Sequence, residues 1–218
     1  MYAFISYQTK DKLVAGKIKN LLANAGITSF LAHEDIAVSE EWRKKILEEI
    51  GNADLFVSLW SKHYLKSHWC MQESGIAAFR KEVTTIPLSI DGSVPKGFSG
   101  DIQSIKIDPE NVKTSDLLPG VMKASMDWGI KLIFQSIKTS GSFREAEANF
   151  KHLLPFSETL SPNQGKEILE IAIANAQVLH AGLCATLYLP PILAKHGHLL
   201  SKENFEHLTE ALRQYAGL

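Results

Sequence analysis

Residues 54–73 read DLFVSLWSKHYLKSHWCMQE, and the architecture follows from this segment. Its first seven residues are nearly all apolar, as expected of a central strand covered on both faces in a parallel sheet. Ser67 then stands at a helix N-cap, and the spacing predicts a helix over 68–81. A buried strand that turns within a few residues into a helix is half of a βαβ unit. The same alternation extends towards the N-terminus. Residues 2–7 (YAFISY) are an aromatic and β-branched strand. Val14, Ile18, Leu21, Leu22 and Ala25 recur at helical spacing over 11–25, and Gly26 follows at the C′ position. Residues 28–31 make a second short strand. Ser39 is the expected N-cap of the next helix, with Glu40 and Glu41 in its first turn, where the helix dipole favours acids. Ile46, Leu47 and Ile50 supply that helix's buried face, and Gly51 closes it. Downstream, 84–90 (TTIPLSI) and 104–107 complete five strands, and the Gly-, Pro- and Ser-rich segment 91–103 reads as a surface loop. The fold class is therefore α/β, a parallel sheet with helices on both faces.

Past residue 116 the strand signal stops. Residues 116–138 read as helical, and Ser140-Gly141-Ser142 is a polar break. Ser142 with Glu145, and Ser161 with Gln164, have capping-box spacing, the latter with Pro162 at the permitted first helical position. One helix is expected over 162–189, ended by Pro190-Pro191. A last helix opens near Ser201 and buries Phe205, Leu208 and Leu212. The expected division is 1–138 for the α/β domain and 139–218 for a small all-α C-terminal region.

Composition narrows the function classes. The chain has 218 residues, 45% hydrophobic and 22% charged, with a formal net charge of −1. No overall basic excess points to nucleic acid, so none is expected as a partner. Two cysteines, Cys70 and Cys184, have no metal-ligand spacing and suggest a reducing compartment. The N-terminal residues read as a strand rather than a secretion signal. The apolar segment 168–194 is interrupted by Asn175, Gln177, His180 and two prolines, which favours a buried helix over a membrane span. The expected location is the cytoplasm.

Three segments deliver loops to the carboxyl edge of such a sheet, where ligands bind in open α/β folds. They are FISY (4–7), FLAHEDIAVSEEW (30–42) and the 54–73 stretch with its Trp69-Cys70-Met71-Gln72-Glu73 motif. Together these residues resemble the TIR (Toll/interleukin-1 receptor) family over roughly residues 1–138. FISY resembles the family's first box, 32–41 its BB loop, and W-C-x-x-E the helix bearing the catalytic glutamate of NAD⁺-cleaving members. The resemblance implies a flavodoxin-like five-stranded parallel sheet. It assigns catalysis to Glu73 and substrate binding to Trp69, Trp42, Ser6, Tyr7, Gln8 and His33. Some relatives carry arginine after the first strand, where this chain has Gln8 and Thr9. It further implies NAD⁺ as a substrate rather than a cofactor, no metal, and TIR–TIR self-association.

The residue chemistry is compatible with that expectation. Trp69 and Glu73 are four apart and share one helical face. Departure of nicotinamide leaves an oxocarbenium-like ribose, which a carboxylate stabilises, as in glycoside hydrolysis. An indole face supports the nicotinamide cation. Each residue also has a plainer reading. Glu73 is then a solvated helix residue, Trp69 core packing, Trp42 a staple, and His33 and Asp35 loop-forming residues. Cys70 is a small buried residue or a helix-terminal thiol of lowered pKa. His63, His68 and Cys70 lack zinc spacing, and His196-Gly197-His198 reads as an exposed turn.

Three function classes follow. The first is an NAD⁺ nucleosidase or ADP-ribosyl cyclase, similar to the Thoeris-type TIR proteins of bacterial anti-phage defence. Its product, ADP-ribose or a cyclic isomer, could reach a separate effector. The second is a non-catalytic TIR adaptor, including a virulence protein that mimics host adaptors. The third is nucleoside 2-deoxyribosyl transfer on a similar fold. The C-terminal helices are expected to control assembly.

Overall fold

The computed structural model describes residues 1–31 and 42–215. The expected N-cap Ser39, the acids Glu40 and Glu41, and the loop residues His33 and Asp35 lie outside the described residues. The chain divides into two compact units, Met1–Gly129 and Ile130–Leu218. The divide falls inside the helix Met126–Lys138, whereas the sequence reading put the boundary at the end of that helix.

The first unit alternates β1 (Tyr2–Ser6), α1 (Lys12–Asn24), β2 (Thr28–Leu31), α2 (Trp42–Asn52), β3 (Leu55–Trp60), α3 (His68–Phe79), β4 (Thr84–Ser89), β5 (Ile105–Lys106) and α4 (Thr114–Ala124). The strands form one sheet in the order β2-β1-β3-β4-β5, and every pairing is parallel. This is the flavodoxin-like order, whose switch point lies between β1 and β3. The register sets Ser6 opposite Ser58 there.

All six residues of β3 are buried, as its nearly apolar run suits a strand covered on both faces. One sheet face carries Phe4, Phe30 and Phe56, which pack with Ile46 and Ile50 of α2 and Ala77 of α3. Phe4 and Phe56 stack with ring centroids 5.7 Å apart. Gly26 has φ +80°, the left-handed conformation that lets the chain leave α1 and turn directly into β2.

Two details of this unit differ from the sequence reading. Leu47 is 45% exposed, because Ile46 and Ile50, four apart, already fill the buried stripe of α2. Gly51 lies inside α2, which runs to Asn52, and the guanidinium of Arg80 donates to the Ile50 and Ala53 carbonyls at that end.

α5 (Met126–Lys138) crosses the divide, and the second unit continues with α6 (Phe143–Lys151), α7 (Pro162–Ala174), α8 (Ala176–Leu179), a π-helical turn (Cys184–Tyr188), α9 (Leu189–His196) and α10 (Lys202–Arg213). The single helix expected over 162–189 is corrected to three pieces. Asn175 stops α7 because its side chain is used elsewhere. Its Nδ2 donates to the Lys138 and Ser140 carbonyls at 3.1 and 3.0 Å, while its Oδ1 accepts from Gln177 N–H and starts α8. Pro190 and Pro191 do not end a helix but sit in the first turn of α9, where a missing N–H is tolerated. The Ser161–Gln164 capping box forms in both directions. Ser142 caps α6, but Glu145 reaches back to the N–H of Gly141 rather than to that of Ser142. Ser201 caps α10, and Leu208 and Leu212 are buried, whereas Phe205 is 41% exposed. No described helix is long and apolar enough to cross a membrane.

Candidate active site

The side chain of Ser67 accepts from the N–H of Cys70 and so fixes where α3 begins. That start sets the phase of the helix. Cys70, Glu73, Ser74 and Ala77 then fall on its buried side, the i, i+3, i+4, i+7 positions of one stripe. A glutamate placed there must enter the protein. Glu73 is 3% exposed, which removes its reading as a solvated helix residue.

The carboxylate reaches the carboxyl end of β1, where Ser6 Oγ donates to Glu73 Oε2 at 2.5 Å. Ser6 Oγ also lies 2.9 Å from the hydroxyl of Tyr64, which donates to the Cys70 carbonyl at 3.1 Å. The four groups form one buried chain, carboxylate to hydroxyl to phenol to carbonyl. With Glu73 ionised, Ser6 gives its proton to the carboxylate, and the single proton of Tyr64 turns from the Cys70 carbonyl to Ser6. With Glu73 protonated, Glu73 donates to Ser6, Ser6 to Tyr64 and Tyr64 to the Cys70 carbonyl, so the site holds either charge state without stranding a hydroxyl.

Burial dominates the acidity here. Desolvation lifts the Glu73 carboxyl from 4.5 to about 7, against the opposing hydrogen bond from Ser6. Burial likewise holds the Tyr64 phenol well above its ordinary value and pushes the Cys70 thiol up to about 12. Cys70 is therefore not a thiolate activated by the helix terminus. Its Sγ donates to the Tyr7 carbonyl at 3.4 Å and ties the turn after β1 to the first turn of α3. A carboxyl poised near neutrality, at the switch point of an α/β sheet, is the pattern of a group placed for chemistry.

Of the residues expected from sequence, the structure brings Ser6 and Glu73 into direct contact and places Tyr7 beside them through the Cys70 link. Gln8 is spent locally, its Oε1 accepting from Lys10 N–H at 2.7 Å. Trp69 is 42% exposed, one residue from buried Cys70 and a turn before Glu73. Trp42 is half-buried and packs against the Phe4–Phe30–Phe56 cluster, so it serves the core of that sheet face. His33 lies outside the described residues. The sequence reading missed Tyr64. It sits in a 3₁₀ turn (Tyr64–Lys66), where no periodicity marks it, although a tyrosine between a buried strand and a helix cap was open to notice. Among the described residues no cluster of three His, Cys, Asp or Glu side chains is placed to hold a metal ion.

A family model described as TIR domain matches residues 3–118. Among solved structures, the chain is similar to the TIR domain of the Toll-related Receptor TRR-2 from the lower metazoan Hydra magnipapillata. Identity is 19%, over 58% of this chain and 96% of that one, with a TM-score of 0.46. A search of curated proteins returns no match.

Proposed function

The chain belongs to the TIR domain family, and from that premise we propose that it is an NAD⁺ nucleosidase whose catalytic carboxylate is Glu73. One observation carries this reading: the Glu73 carboxyl is buried at the end of β1, held by Ser6 and lifted to about 7.

The reaction breaks the bond between the ribose C1′ and the nicotinamide nitrogen. The bonding pair leaves with the ring, nicotinamide departs neutral, and C1′ becomes cationic. A carboxylate that burial makes unfavourable before reaction becomes favourable as positive charge grows beside it, so the stabilisation is concentrated in the transition state. The approaching cation also draws the carboxyl towards its ionised form. Ser6 orients the carboxylate, and Trp69, half-exposed on the same helix, offers an indole face to the nicotinamide ring. Water captures C1′ to give ADP-ribose and a proton, or a nucleophile within the same molecule captures it to give a cyclic isomer. No metal or resident cofactor enters the scheme. Self-association through the TIR unit, and a nucleotide product passed to a separate effector in anti-phage immunity, belong to the same proposal, as does a cytoplasmic setting.

Product analysis by mass spectrometry after incubation with NAD⁺ tests it. The expected result is nicotinamide with ADP-ribose or its cyclic isomer from the wild type, and neither from Glu73→Ala. Offering deoxynucleosides in parallel separates this from deoxyribosyl transfer.

A non-catalytic scaffold is the second reading, and one observation favours it. Phe79 on α3 and Phe98 are both strongly exposed, and Phe98 lies 3.9 Å from where a Cβ on Gly75 of α3 would stand. Two solvent-facing phenylalanines, one at the end of α3 and one beside its preceding turn, suit an association surface that needs no chemistry. Wild type and Glu73→Ala, equally inert at high concentration, would favour this reading.

A further inference from the structure

The helical unit contains a groove of about 1120 Å³ between the π-helical turn, α9 and α10, slightly above the usual size of small-molecule sites. Its walls are apolar, with Leu193, Leu200, Phe205 and Leu212 among them. The charged and titratable side chains on its lining are His198, Lys202, Arg213 and Tyr215, and among the described residues no Asp or Glu joins them. The lining is thus an apolar trough with cationic groups along one side.

Two further features mark it as more than a packing gap. Thr209 lines the groove, and its hydroxyl oxygen is shut from solvent with no hydrogen-bond partner. Buried hydroxyls are almost always satisfied, and a ligand atom reached by a turn about χ1 would satisfy this one. The wall carrying Ala185 and Thr186 is the π-helical turn Cys184–Tyr188, a conformation that is rare and recurs at functional sites.

We propose that this groove binds an amphipathic anion of the fatty-acid class, an alkyl chain along the apolar floor with its carboxylate towards Arg213, one turn from Thr209, while Lys202 stands at the other end of α10. The carboxylates facing these cations lie on α10 itself, Glu206 at 3.9 Å from Lys202 and Glu210 at 3.7 Å from Arg213. Both pairs are exposed, and such pairs hold their partners weakly, so an anion seated at the rim can take over Arg213. The apolar walls select a chain over a compact anion such as phosphate. This site is independent of the chemistry at Glu73.

Isothermal titration of the full chain with decanoate, and separately with 1-decanol, tests the assignment. Decanoate is expected to bind with one site per chain and about tenfold more tightly than the alcohol. The exposed double substitution Lys202→Gln, Arg213→Gln is expected to remove that preference and leave decanol binding unchanged. Leu193→Arg, with folding checked by circular dichroism, is expected to abolish both. The proposal is overturned by absent decanoate binding, by equal affinity for acid and alcohol, by a double variant that keeps the preference, or by an acidic amphipathic peptide that binds the groove more tightly than decanoate.

Discussion

Glu73 and His196 are both titratable and both shut from solvent, at 3% and 4% exposure, yet they are buried in opposite ways. Glu73 sits in a chain of partners, Ser6, Tyr64 and the Cys70 carbonyl. His196 is wedged against α7, where a Cβ on Gly165 would stand 2.3 Å from its ring, and its Nε2 has no hydrogen-bond partner. The first arrangement accepts a change of charge and the second resists one. Burial alone therefore says little about chemistry. A network able to hold either protonation state, at a sheet switch point, says more. His196 was expected in an exposed turn; the absence of a side chain at Gly165 is what admits its imidazole to the interior.

The two groups should respond oppositely to pH. Burial raises the Glu73 pKa above its unfolded value, so the native state binds its proton more tightly between 4.5 and about 7. Stability from this group is greatest below that window and declines as pH rises through it. Burial, with Lys195 and His198 contributing, lowers the pKa of His196. Its unfolded form takes the proton more readily, and stability declines as pH falls below the ordinary imidazole value.

The largest expected effect sharpens that contrast. Glu73→Gln keeps a neutral acceptor for Ser6 and removes the charge, so it should match wild type in denaturant stability near pH 4.5 and exceed it by about 3 kcal/mol at pH 8. Equal stabilities at both pH values would show that the carboxyl is not desolvated. Next in size, Gly165→Ala forces the His196 ring to move and should destabilise the helical unit by about 1–3 kcal/mol in urea unfolding. Gly75→Ala on α3, whose nearest neighbour is 3.9 Å away, should be neutral or slightly stabilising through helix propensity. If the two substitutions act alike, the close packing of His196 is wrong. Ser6→Ala should lower stability by about 1 kcal/mol. It should also move the rise of the pH–rate profile upward, since the lost hydrogen bond favours the charged carboxylate; an unmoved profile would disconnect Ser6 from Glu73. The smallest structural effect belongs to Trp69→Ala. With its side chain half-exposed, unfolding should change by under about 0.5 kcal/mol while KM for NAD⁺ rises. A large loss of stability with unchanged KM would make Trp69 a packing residue.

Legibility in the sequence followed the strength of the local physics. Nearly apolar runs such as 55–60 and a glycine after α1 are strong local signals, so the five strands and the first three helices of the first unit were readable, while the flavodoxin-like arrangement came with the family resemblance. Glu73 was singled out through the likeness of Trp69-Cys70-Met71-Gln72-Glu73 to a family motif, and its burial follows from the phase that Ser67 gives α3. Tyr64 was not, since a short 3₁₀ turn leaves no period. The helical unit was read less well. Asn175 breaks a helix by bonding carbonyls some 35 residues away in sequence, and Pro190-Pro191 looks the same whether it ends a helix or begins one. Trp42 shows the limit of reading by likeness: an aromatic that the resemblance assigns to the substrate packs on the sheet core.

The central claim is that a single buried charge drives the chemistry. The most direct test is nicotinamide release by purified Glu73→Gln beside wild type at pH 8, both shown to be folded by circular dichroism. The expected result is a fall of about 10²–10³-fold in rate with the fold intact. Turnover by the amide variant within about twofold of wild type would contradict the assignment.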